Sequence, residues 1–318
     1  MEYRQIGSSE LKVSTIGLGS WLTYAGGVTR DQTAACTKAA FDAGITFFDT
    51  ANVYGGGAAE EAWGEILADY PRADYVLATK LYFQMPDGDH GLSREQVHKQ
   101  LDASLRRLKV DYVDLYQCHR YDEETPLEET MAALTEVVDS GKVRYVGFSE
   151  WTAEQIEAAR AIPGVVPFVS SQPQYSLLYR APETNGVLAT SREQQVSQVV
   201  WSPLAQGVLT GKYKPGEPVP EGTRAASEQM GRFLGASAFM RDEVLEAVQQ
   251  LGTIADGLGL STAQLALAWV LRDDNVASAI TGATRPEQVN ANVAASGVKL
   301  SDETLAEIDG LFEAAVVE

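Results

Sequence analysis

Four ionisable side chains follow strand-like stretches of the sequence in a pattern that suggests chemistry. One apolar run ends in Asp49, and Tyr54 follows it just before a group of glycines. Lys80 directly follows a second such run, and His119 directly follows a third. A carboxylate, a phenol, an ammonium group and an imidazole are costly to bury singly, because each loses its hydration. If neighbouring strand ends bring them together, each can offset the desolvation of the others.

Each of these side chains also has a purely structural interpretation. Asp49 could be a capping residue, Tyr54 a loop residue, Lys80 a strand-end cation with a buried stem, and His119 a hydrogen-bonded core residue. The position of all four at consecutive strand ends favours the functional interpretation.

A tyrosine beside a lysine is suited to donating a proton to an oxygen atom. The unperturbed phenol pKa is about 10, which is too high for efficient proton donation at neutral pH. An adjacent ammonium group favours the phenolate and lowers the phenol pKa, and a carboxylate keeps that ammonium group charged. A neighbouring histidine can orient a carbonyl oxygen by a hydrogen bond. Tyr54, Lys80, Asp49 and His119 therefore predict delivery of a proton to oxygen as a hydride reaches carbon.

Other catalytic classes have less support in the sequence. Cys118 precedes His119 on one predicted strand, so their side chains should point apart and form no nucleophile–base pair. The sequence contains no His-Glu-x-x-His pattern or comparable ligand spacing, which predicts that no metal ion is used. A barrel lyase or hydrolase that uses Lys80 is a further alternative.

Strand-like and helix-like stretches alternate along almost the whole chain. Short apolar strands that are each followed by a helix indicate a parallel sheet, here closed into a (β/α)8 TIM barrel. The alternative, an open doubly wound sheet, would favour Gly-x-Gly-x-x-Gly, and Gly17-Leu-Gly19-Ser-Trp-Leu22 lacks the third glycine. The predicted strands are Val13–Leu18, Ile45–Asp49, Tyr75–Thr79, Tyr112–Cys118, Val143–Phe148, Phe168–Gln172, Val199–Ser202 and Val276–Ile280. The predicted helices cover residues 31–43, 59–69, 93–108, 127–140, 152–162, 186–195, 261–271 and 286–296.

The whole chain, residues 1–318, is expected to form a single domain. In addition to the repeat we expect an N-terminal extension, a long loop and extra C-terminal helices. Residues 203–240 are rich in glycine and proline, which is typical of a functional lid or a disordered linker. One extra helix is predicted over Met240–Leu258, and a last helix after Ser301.

Charge and cysteine content narrow the choice of partner and compartment. The formal net charge of −19 argues against nucleic acid or an anionic membrane as a partner. The sequence has no apolar run of about 18 residues and no signal-peptide pattern, so we expect a soluble cytoplasmic protein. Cys36 and Cys118 provide no disulfide framework, in agreement with a reducing compartment.

Several separate motifs resemble the aldo-keto reductase superfamily. They are Phe48-Asp-Thr-Ala-Asn-Val-Tyr-Gly55, the strand end at Lys80, and Ser104-Leu-Arg-Arg-Leu-Lys-Val-Asp-Tyr-Val-Asp-Leu-Tyr-Gln-Cys-His119. The resemblance extends essentially from Tyr3 to Leu311. It is closest to the branch with the potassium-channel β-subunits and their bacterial reductase relatives, through Gly19-Ser-Trp21, Trp201-Ser-Pro-Leu-Ala-Gln-Gly207 and Gly211-Lys-Tyr213.

The resemblance implies a TIM barrel that binds NADP(H) without a Rossmann fold and reduces aldehyde or ketone carbonyl groups to alcohols. Tyr54 would be the general acid, Lys80 and Asp49 its tuning pair, and His119 the residue that orients the carbonyl. Channel β-subunits carry asparagine at the histidine position, so histidine here favours a working reductase. The alternative is a nucleotide-binding, redox-sensing regulatory subunit of another protein. The channel relatives also suggest a homo-oligomer, namely a tetramer.

The same resemblance implies which residues contact the cofactor. Ser149 and Gln172 match the grip on the nicotinamide carboxamide, and Trp201 matches the aromatic ring that stacks on the nicotinamide. Arg285 is placed to pair with a 2′-phosphate, which favours NADP over NAD. The other implied contacts are Ser20, Trp21, Asp49, Ser202, Pro203, Leu204, Gly207, Thr210, Lys212, Arg224, Gly282, Thr284, Gln288 and Asn292.

Two residues depart from the family pattern. Ala291 occupies the position of a glutamate that accepts a hydrogen bond from adenine, so a weaker grip on the adenine is expected. Glu150 replaces an asparagine or arginine after Ser149, which puts that nicotinamide contact in question.

The substrate pocket is predicted from aromatic residues on the strand-end loops. They would form an apolar wall beside Tyr54, although each ring could equally serve in packing. The predicted pocket residues are Trp21, Tyr24, Tyr82, Phe83 and Trp151.

Overall fold

The structure is a computed structural model that describes residues 1–231, 234, 238–313 and 315–316. Within these ranges no helix is both long enough and apolar enough to cross a lipid bilayer.

The first residues form an antiparallel hairpin of two short strands, β1 (Tyr3–Gln5) and β2 (Lys12–Ser14). Ile6, Leu11 and Val13 are buried against the apolar side chains that fill the barrel. The hairpin therefore covers the N-terminal end of the barrel and leaves the opposite end for the site.

The sequence predicts one continuous strand over Val13–Leu18, and the structure divides it. Ser14 ends the hairpin, and its hydroxyl donates a 2.7 Å hydrogen bond to the Ile16 carbonyl oxygen. A new strand starts at Ile16, because the chain changes its pairing partner from the hairpin to the barrel.

Eight parallel strands close into a barrel. Each strand pairs with the next along the chain and the last pairs with the first, so no barrel strand has an open edge. The predicted TIM barrel with its N-terminal extension is thus confirmed. The strands are β3 (Ile16–Gly19), β4 (Phe47–Asp49), β5 (Val76–Leu81), β6 (Val113–Cys118), β7 (Val143–Phe148), β8 (Phe168–Ser171), β9 (Ser197–Val200) and β10 (Val276–Thr281).

Helices surround the barrel and connect its strands. Three of them begin with reciprocal capping boxes, at Thr29, Thr152 and Ser261. The helices are α1 (Arg30–Asp42), α2 (Ala58–Ile66), α3 (Arg94–Leu108), α4 (Leu127–Asp139), α5 (Ala153–Arg160), α6 (Ala181–Thr184), α7 (Val187–Glu193), α8 (Glu228–Gly231), α9 (Asp242–Gly257), α10 (Thr262–Val270), α11 (Pro286–Val293) and α12 (Asp302–Phe312).

Side chains alternate between the inside of the barrel and the layer beneath the helices. In β4, Phe47 belongs to the inner apolar cluster, whereas Phe48 packs outward with its ring centroid 5.6 Å from that of Trp63. Burial of each such side chain stabilises the fold by roughly 1.5–3 kcal/mol. The same alternation directs Asp49, two positions after Phe47, towards the inside at the carboxyl end of the barrel.

The glycine- and proline-rich stretch after β9 begins with a turn that packs against α9 and α10. It contains short 3-10 turns over Ala205–Thr210 and Arg224–Ala226, and residues 232–233 and 235–237 lie outside the described part. Tyr213 is buried, and its hydroxyl accepts a hydrogen bond from the Ala225 amide at 3.3 Å. These contacts favour a lid over a disordered linker.

Candidate active site

The carboxyl ends of three neighbouring strands bring the predicted catalytic residues together. Asp49 ends β4, Lys80 lies next to the end of β5, and His119 directly follows β6. Tyr54 begins a 3-10 turn after β4, in which Gly55, Gly56 and Gly57 have φ values of 63°, 64° and 107°. This left-handed run requires glycine, and it brings the chain from Tyr54 directly into α2.

Lys80 is the centre of the cluster and is completely buried. Its Nζ donates hydrogen bonds to Asp49 Oδ1 at 2.5 Å, the Thr50 carbonyl oxygen at 2.7 Å and the Tyr54 hydroxyl at 3.4 Å. Burial disfavours the charged ammonium group and acts to lower the pKa of Lys80. The interactions with Asp49 and Tyr54 together outweigh burial, so the pKa of Lys80 is raised. Lys80 therefore stays an ammonium group at neutral pH.

The balance of forces on Tyr54 differs from the prediction made from sequence. Lys80 acts to lower the pKa of the Tyr54 phenol, as expected. Burial is the larger effect, however, so the pKa of Tyr54 is raised overall. The cause is the closed environment of the strand ends, which penalises the phenolate. Tyr54 as a whole is only half-buried, so a substrate can approach this residue.

His119 lies beside the phenol as a neutral ring. The centroids of the Tyr54 and His119 rings are 5.7 Å apart at an interplanar angle of 78°. Burial, followed by the positive charges of Lys80 and Arg120, lowers the pKa of His119 well below its ordinary value. The imidazole is therefore suited to orienting a carbonyl oxygen by a hydrogen bond and is a poor proton donor.

The second oxygen of Asp49 is held by two glutamine amides. Asp49 Oδ2 accepts hydrogen bonds from Gln172 Nε2 at 2.9 Å and from Gln117 Nε2 at 3.3 Å. Gln117 was not among the residues predicted from the sequence. Its signal was strand alternation, since Gln117 lies two positions before His119 and shares its inward face.

Ser149 and Gln172 connect the ends of β7 and β8. The Ser149 hydroxyl donates a 2.8 Å hydrogen bond to the Gln172 carbonyl oxygen, and both residues are buried. Asp49, Tyr54, Lys80 and His119 are called the catalytic cluster below. Because Gln172 also contacts Asp49, the residues predicted to hold a carboxamide adjoin this cluster.

Glu150 has a defined role in the structure. Its Oε1 accepts hydrogen bonds from Trp201 Nε1 at 2.7 Å and from the Gln174 amide at 2.6 Å. Glu150 adopts φ 57°, a left-handed conformation that costs energy in a non-glycine residue. The departure from the family pattern thus fixes the orientation of the indole that is predicted to carry the nicotinamide ring.

Aromatic residues surround the carboxyl end of the barrel, which we call its mouth. Trp21 and Trp201 meet edge to face with their centroids 6.2 Å apart. The Phe83 ring lies 4.8 Å from the His119 ring and 5.3 Å from that of Tyr82, which places both residues beside the catalytic cluster.

Two of the predicted pocket residues lie in the core. Tyr24 is 3% exposed, and its ring packs 5.8 Å from that of Trp63 beneath the helices. Trp151 is 2% exposed and stacks on Phe148 at 5.3 Å. The structure therefore gives both rings packing roles behind the mouth, which corrects the predicted pocket at these two positions. The physical reason is that large aromatic surfaces are stabilised more by the apolar core than by a solvated cleft.

Three cations from separate segments form what we call the lid cation cluster: Lys212, Arg224 and Arg285. Burial, together with the charges of Arg224 and Arg285, lowers the pKa of Lys212, and burial lowers that of Arg224. None of the three forms an ion pair with a carboxylate among the described residues. Like charges held together without counterions indicate a site for an anion.

Gly207 adjoins this cluster at a point of close approach. Its φ is 97°, and a Cβ atom at this position would lie 3.0 Å from Lys212 Nζ. Thr210 closes the same turn, with its hydroxyl donating a 2.7 Å hydrogen bond to the Gly207 carbonyl oxygen. A glycine is therefore required where the backbone and the cation come together.

The segment after β10 leads directly into a helix N-terminus. Pro286 is the first residue of α11, and Arg285 precedes it as an exposed N-cap residue. Gln288 Oε1 accepts hydrogen bonds from the Thr284 amide at 2.8 Å and the Thr284 hydroxyl at 3.1 Å. Gly282 is exposed beside this turn, and Asn292 is buried further along the helix.

The remaining predicted cofactor residues lie at the ends of β3 and β9. Ser20 is buried, with its hydroxyl donating a 2.8 Å hydrogen bond to Thr50 Oγ1. Ser202 has φ 53°, so the turn through Pro203 and Leu204 starts in a left-handed conformation. The cofactor contacts stay predictions.

The arrangement can transfer a proton to an oxygen atom held between Tyr54 and His119. Across the described ranges, no group of three or more His, Cys, Asp or Glu side chains is arranged to hold a metal ion. Cys36 and Cys118 are both free thiols, and burial raises the pKa of the Cys118 thiol, which disfavours the thiolate.

The fold and this cluster define a barrel protein built for carbonyl chemistry, and comparison with known proteins identifies the family. The model of the aldo/keto reductase family matches residues 15–313, and the chain belongs to this family. Membership supports carbonyl reductase activity in general terms.

Similar proteins include both channel subunits and a reductase. The chain is 40% identical over 305 residues to a probable voltage-gated potassium channel subunit beta of Arabidopsis thaliana, covering 94% of this chain and 92% of that protein. It is 38% identical over 321 residues to L-glyceraldehyde 3-phosphate reductase of Escherichia coli (strain K12), covering 97% and 92%. A crystal structure of the thermostable aldo-keto reductase Tm1743 with the inhibitor epalrestat superposes with a TM-score of 0.79 at 30% identity, covering 98% of this chain and 100% of that one.

Proposed function

We propose that the protein is an NADPH-dependent oxidoreductase that reduces aldehyde or ketone carbonyl groups to alcohols, with Tyr54 as the general acid. The observation that carries the proposal is the 3.4 Å contact between the Tyr54 hydroxyl and Lys80 Nζ beside the neutral His119 ring. A phenol, an ammonium group whose pKa is raised and a neutral imidazole form the set of groups that carbonyl protonation requires.

The lid cation cluster and Trp201 support NADP(H) as the cofactor. The three cations form no ion pair with any described residue and suit the phosphates. Arg285, as an exposed N-cap residue, suits a 2′-phosphate in preference to an unmodified ribose. The Trp201 indole, held by Glu150, offers a flat surface for the nicotinamide ring. When bound, this cofactor supplies the hydride that the carbonyl carbon accepts.

The residues of the chain then perform the proton transfer. His119 holds the carbonyl oxygen by a hydrogen bond, which polarises the carbon–oxygen bond. The Tyr54 O–H bond breaks and its proton passes to that oxygen, leaving a phenolate. Lys80 stabilises the phenolate through its positive charge, and Asp49 keeps Lys80 in place through the 2.5 Å ion pair. Proton transfer therefore restores neutrality at the oxygen of the new alcohol.

The test is an NADPH fluorescence titration followed by steady-state assays on a panel of carbonyl compounds. The panel should contain simple aldehydes, ketones and glyceraldehyde 3-phosphate, since one relative is named as a reductase of the L-form of this compound. Tight NADPH binding with turnover of at least one carbonyl compound supports the proposal. An absence of NADPH binding contradicts it.

A second candidate function is a nucleotide-binding, redox-sensing subunit of another protein. The similarity to proteins named as channel β-subunits favours it. Tight NADPH binding with almost no turnover over the whole panel would support this candidate against the enzyme.

Assembly and compartment form part of the proposal. The resemblance to the channel branch supports a homotetramer, which light scattering on the purified protein can test. The two free cysteines support a cytoplasmic, reducing location, and the charge of −19 argues against nucleic acid and anionic membranes as partners.

A further inference from the structure

Arg120 lies next to the catalytic cluster and forms no ion pair with any residue that the structure describes. Arg120 follows His119, and its Nη1 donates hydrogen bonds to the His119 carbonyl oxygen at 2.5 Å and to Ser149 Oγ at 3.4 Å. Its guanidinium carbon lies 5.3 Å from the centroid of the Phe83 ring, the same ring that packs against His119. These contacts hold the guanidinium group at the mouth of the barrel.

Three carboxylates at this end of the barrel already have partners other than Arg120. Asp49 is paired with Lys80, and Glu150 accepts hydrogen bonds from Trp201 and from a backbone amide. Asp122 accepts hydrogen bonds from the Leu92 amide and the Thr125 hydroxyl, both at 2.8 Å. Within the described ranges Arg120 forms no ion pair, although acidic residues outnumber basic ones by 44 to 25 in the chain.

The free donors of this guanidinium group remain available to a ligand. Arginine has five N–H donors, and within the described part of the chain only those on Nη1 form hydrogen bonds. Arg120 is partly exposed, so a ligand can reach this residue. Its charge acts on both Tyr54 and His119, which shows that it lies within short electrostatic range of the site where the carbonyl oxygen must sit.

From this geometry we propose that Arg120 forms an anion subsite that selects carbonyl substrates carrying a carboxylate or phosphate group. The inference rests on the proposed reductase function and specifies its substrate class. The planar guanidinium group binds carboxylates and phosphates in a bidentate manner, and it remains charged at any working pH. Such a ligand stabilises a partly buried guanidinium group by supplying the opposite charge. Anionic substrates are therefore bound more tightly than neutral ones.

The experiment compares matched substrates in wild type, Arg120→Gln and Arg120→Lys. The carboxylate arm uses 4-carboxybenzaldehyde, the phosphate arm uses 4-formylphenyl phosphate, and the neutral reference for both is methyl 4-formylbenzoate. The readout is the ratio of kcat/KM for each anionic substrate to kcat/KM for the neutral one. Arg94→Gln is the control for net charge, because Arg94 is an exposed residue of α3 that already pairs with Glu136.

We expect Arg120→Gln to lower this ratio by about 10- to 100-fold, because a charge-assisted hydrogen-bonded pair is lost. Arg120→Lys should restore part of the ratio, since it keeps the charge but not the fork, and Arg94→Gln should leave it within about threefold. The anionic substrate whose ratio falls further in Arg120→Gln identifies the anion that the subsite prefers. An unchanged ratio in Arg120→Gln overturns the proposal while leaving the reductase function intact.

Two further measurements separate this inference from neighbouring explanations. If Arg120→Gln weakens NADPH binding in fluorescence titrations and lowers turnover of all substrates equally, the residue belongs to the cofactor site and the proposal fails. If wild type reduces none of the three aldehydes, calorimetry with 4-carboxybenzaldehyde on the NADP⁺-saturated protein decides. Binding that Arg120→Gln removes sustains the anion subsite without the reductase function, and binding that Arg120→Gln leaves intact overturns it, as does an absence of binding to wild type.

Discussion

The Trp201 indole donates a 2.7 Å hydrogen bond to the carboxylate of Glu150 across the mouth of the barrel. The same oxygen, Oε1, accepts the Gln174 amide at 2.6 Å, so one carboxylate joins the ends of β7, β8 and β9. Glu150 adopts a left-handed φ of 57° to reach this position. Strain of this kind persists where the surrounding contacts over-determine the conformation, as at a binding site.

Replacement of Glu150 should loosen the Trp201 ring. Glu150→Ala removes two hydrogen bonds, each contributing roughly 0.5–1.5 kcal/mol or somewhat more to a charged acceptor. We expect NADPH affinity to fall about tenfold, and Glu150→Gln to retain part of it because its amide oxygen still accepts. NADPH fluorescence titration measures the effect. If Glu150→Ala binds NADPH as tightly as wild type does, cofactor binding does not depend on the hydrogen bond between Trp201 and Glu150.

Removal of the Tyr54 hydroxyl should abolish turnover and leave cofactor binding intact. General acid catalysis contributes typically 10²–10⁴-fold, so we expect a loss of about this size in kcat for Tyr54→Phe. Tyr145→Phe is the matched control, because its hydroxyl accepts a hydrogen bond from the Glu10 amide near the hairpin end of the barrel. Comparable kcat values in wild type and Tyr54→Phe would contradict the assignment of the acid.

The ion pair of Lys80 and Asp49 should be a large stability determinant. Lys80→Met leaves a buried carboxylate without its cation, which typically costs about 3–5 kcal/mol of unfolding free energy. Adding Asp49→Asn should recover part of that loss without restoring activity, because the charge imbalance is removed but the tuning pair is absent. Urea unfolding of the two single variants and the double variant measures the coupling. If the loss of unfolding free energy in the double variant equals the sum of the losses in the two single variants, Lys80 and Asp49 are not coupled.

His119 should make the fold sensitive to mild acid. Its pKa is lowered in the folded protein, so below the ordinary value of about 6.5 the unfolded chain binds a proton that the folded chain excludes. The stability is complete above this pH and is lost as the pH falls, by up to about 1.4 kcal/mol per pH unit. Urea unfolding from pH 7.5 to 5.5 should show a steeper loss for wild type than for His119→Asn. Parallel curves would mean that His119 titrates normally.

Arg285 should determine the choice between NADPH and NADH. Arg285→Gln removes a charge-assisted contact to a 2′-phosphate, so the preference for NADPH should fall by about 10- to 100-fold with little change for NADH. Lys38→Gln is a suitable control, since Lys38 is an exposed cation on α1 paired with Asp42. Equal losses for both cofactors would assign Arg285 to the shared diphosphate, and no loss for either would exclude it from the site.

Local pattern was sufficient for the barrel and for the catalytic cluster. The apolar runs that end at Asp49, Lys80 and His119 are set by the period of a strand, and parallel strands must present their carboxyl ends on one side. The identity of the fold and the meeting of these residues therefore followed from the sequence.

Distant packing decided the features that the sequence left open. Tyr24 and Trp151 could have faced the cleft, and only the positions of α1, α2 and the neighbouring strands direct their rings into the core. Gln117 and Glu150 acquire their partners from segments far away in the chain. The net pKa of Tyr54 also depends on burial by several loops, which outweighs the effect of Lys80.

The sequence by itself determined which groups stand at each strand end, since alternation and strand length are short-range properties. The tertiary structure alone decided how those groups are solvated, paired and oriented. The lid cation cluster illustrates the difference, because Lys212, Arg224 and Arg285 meet only when the lid folds over the end of β10. Electrostatic energies depend on distance and solvent exposure in three dimensions, and neither can be read from separation along the chain.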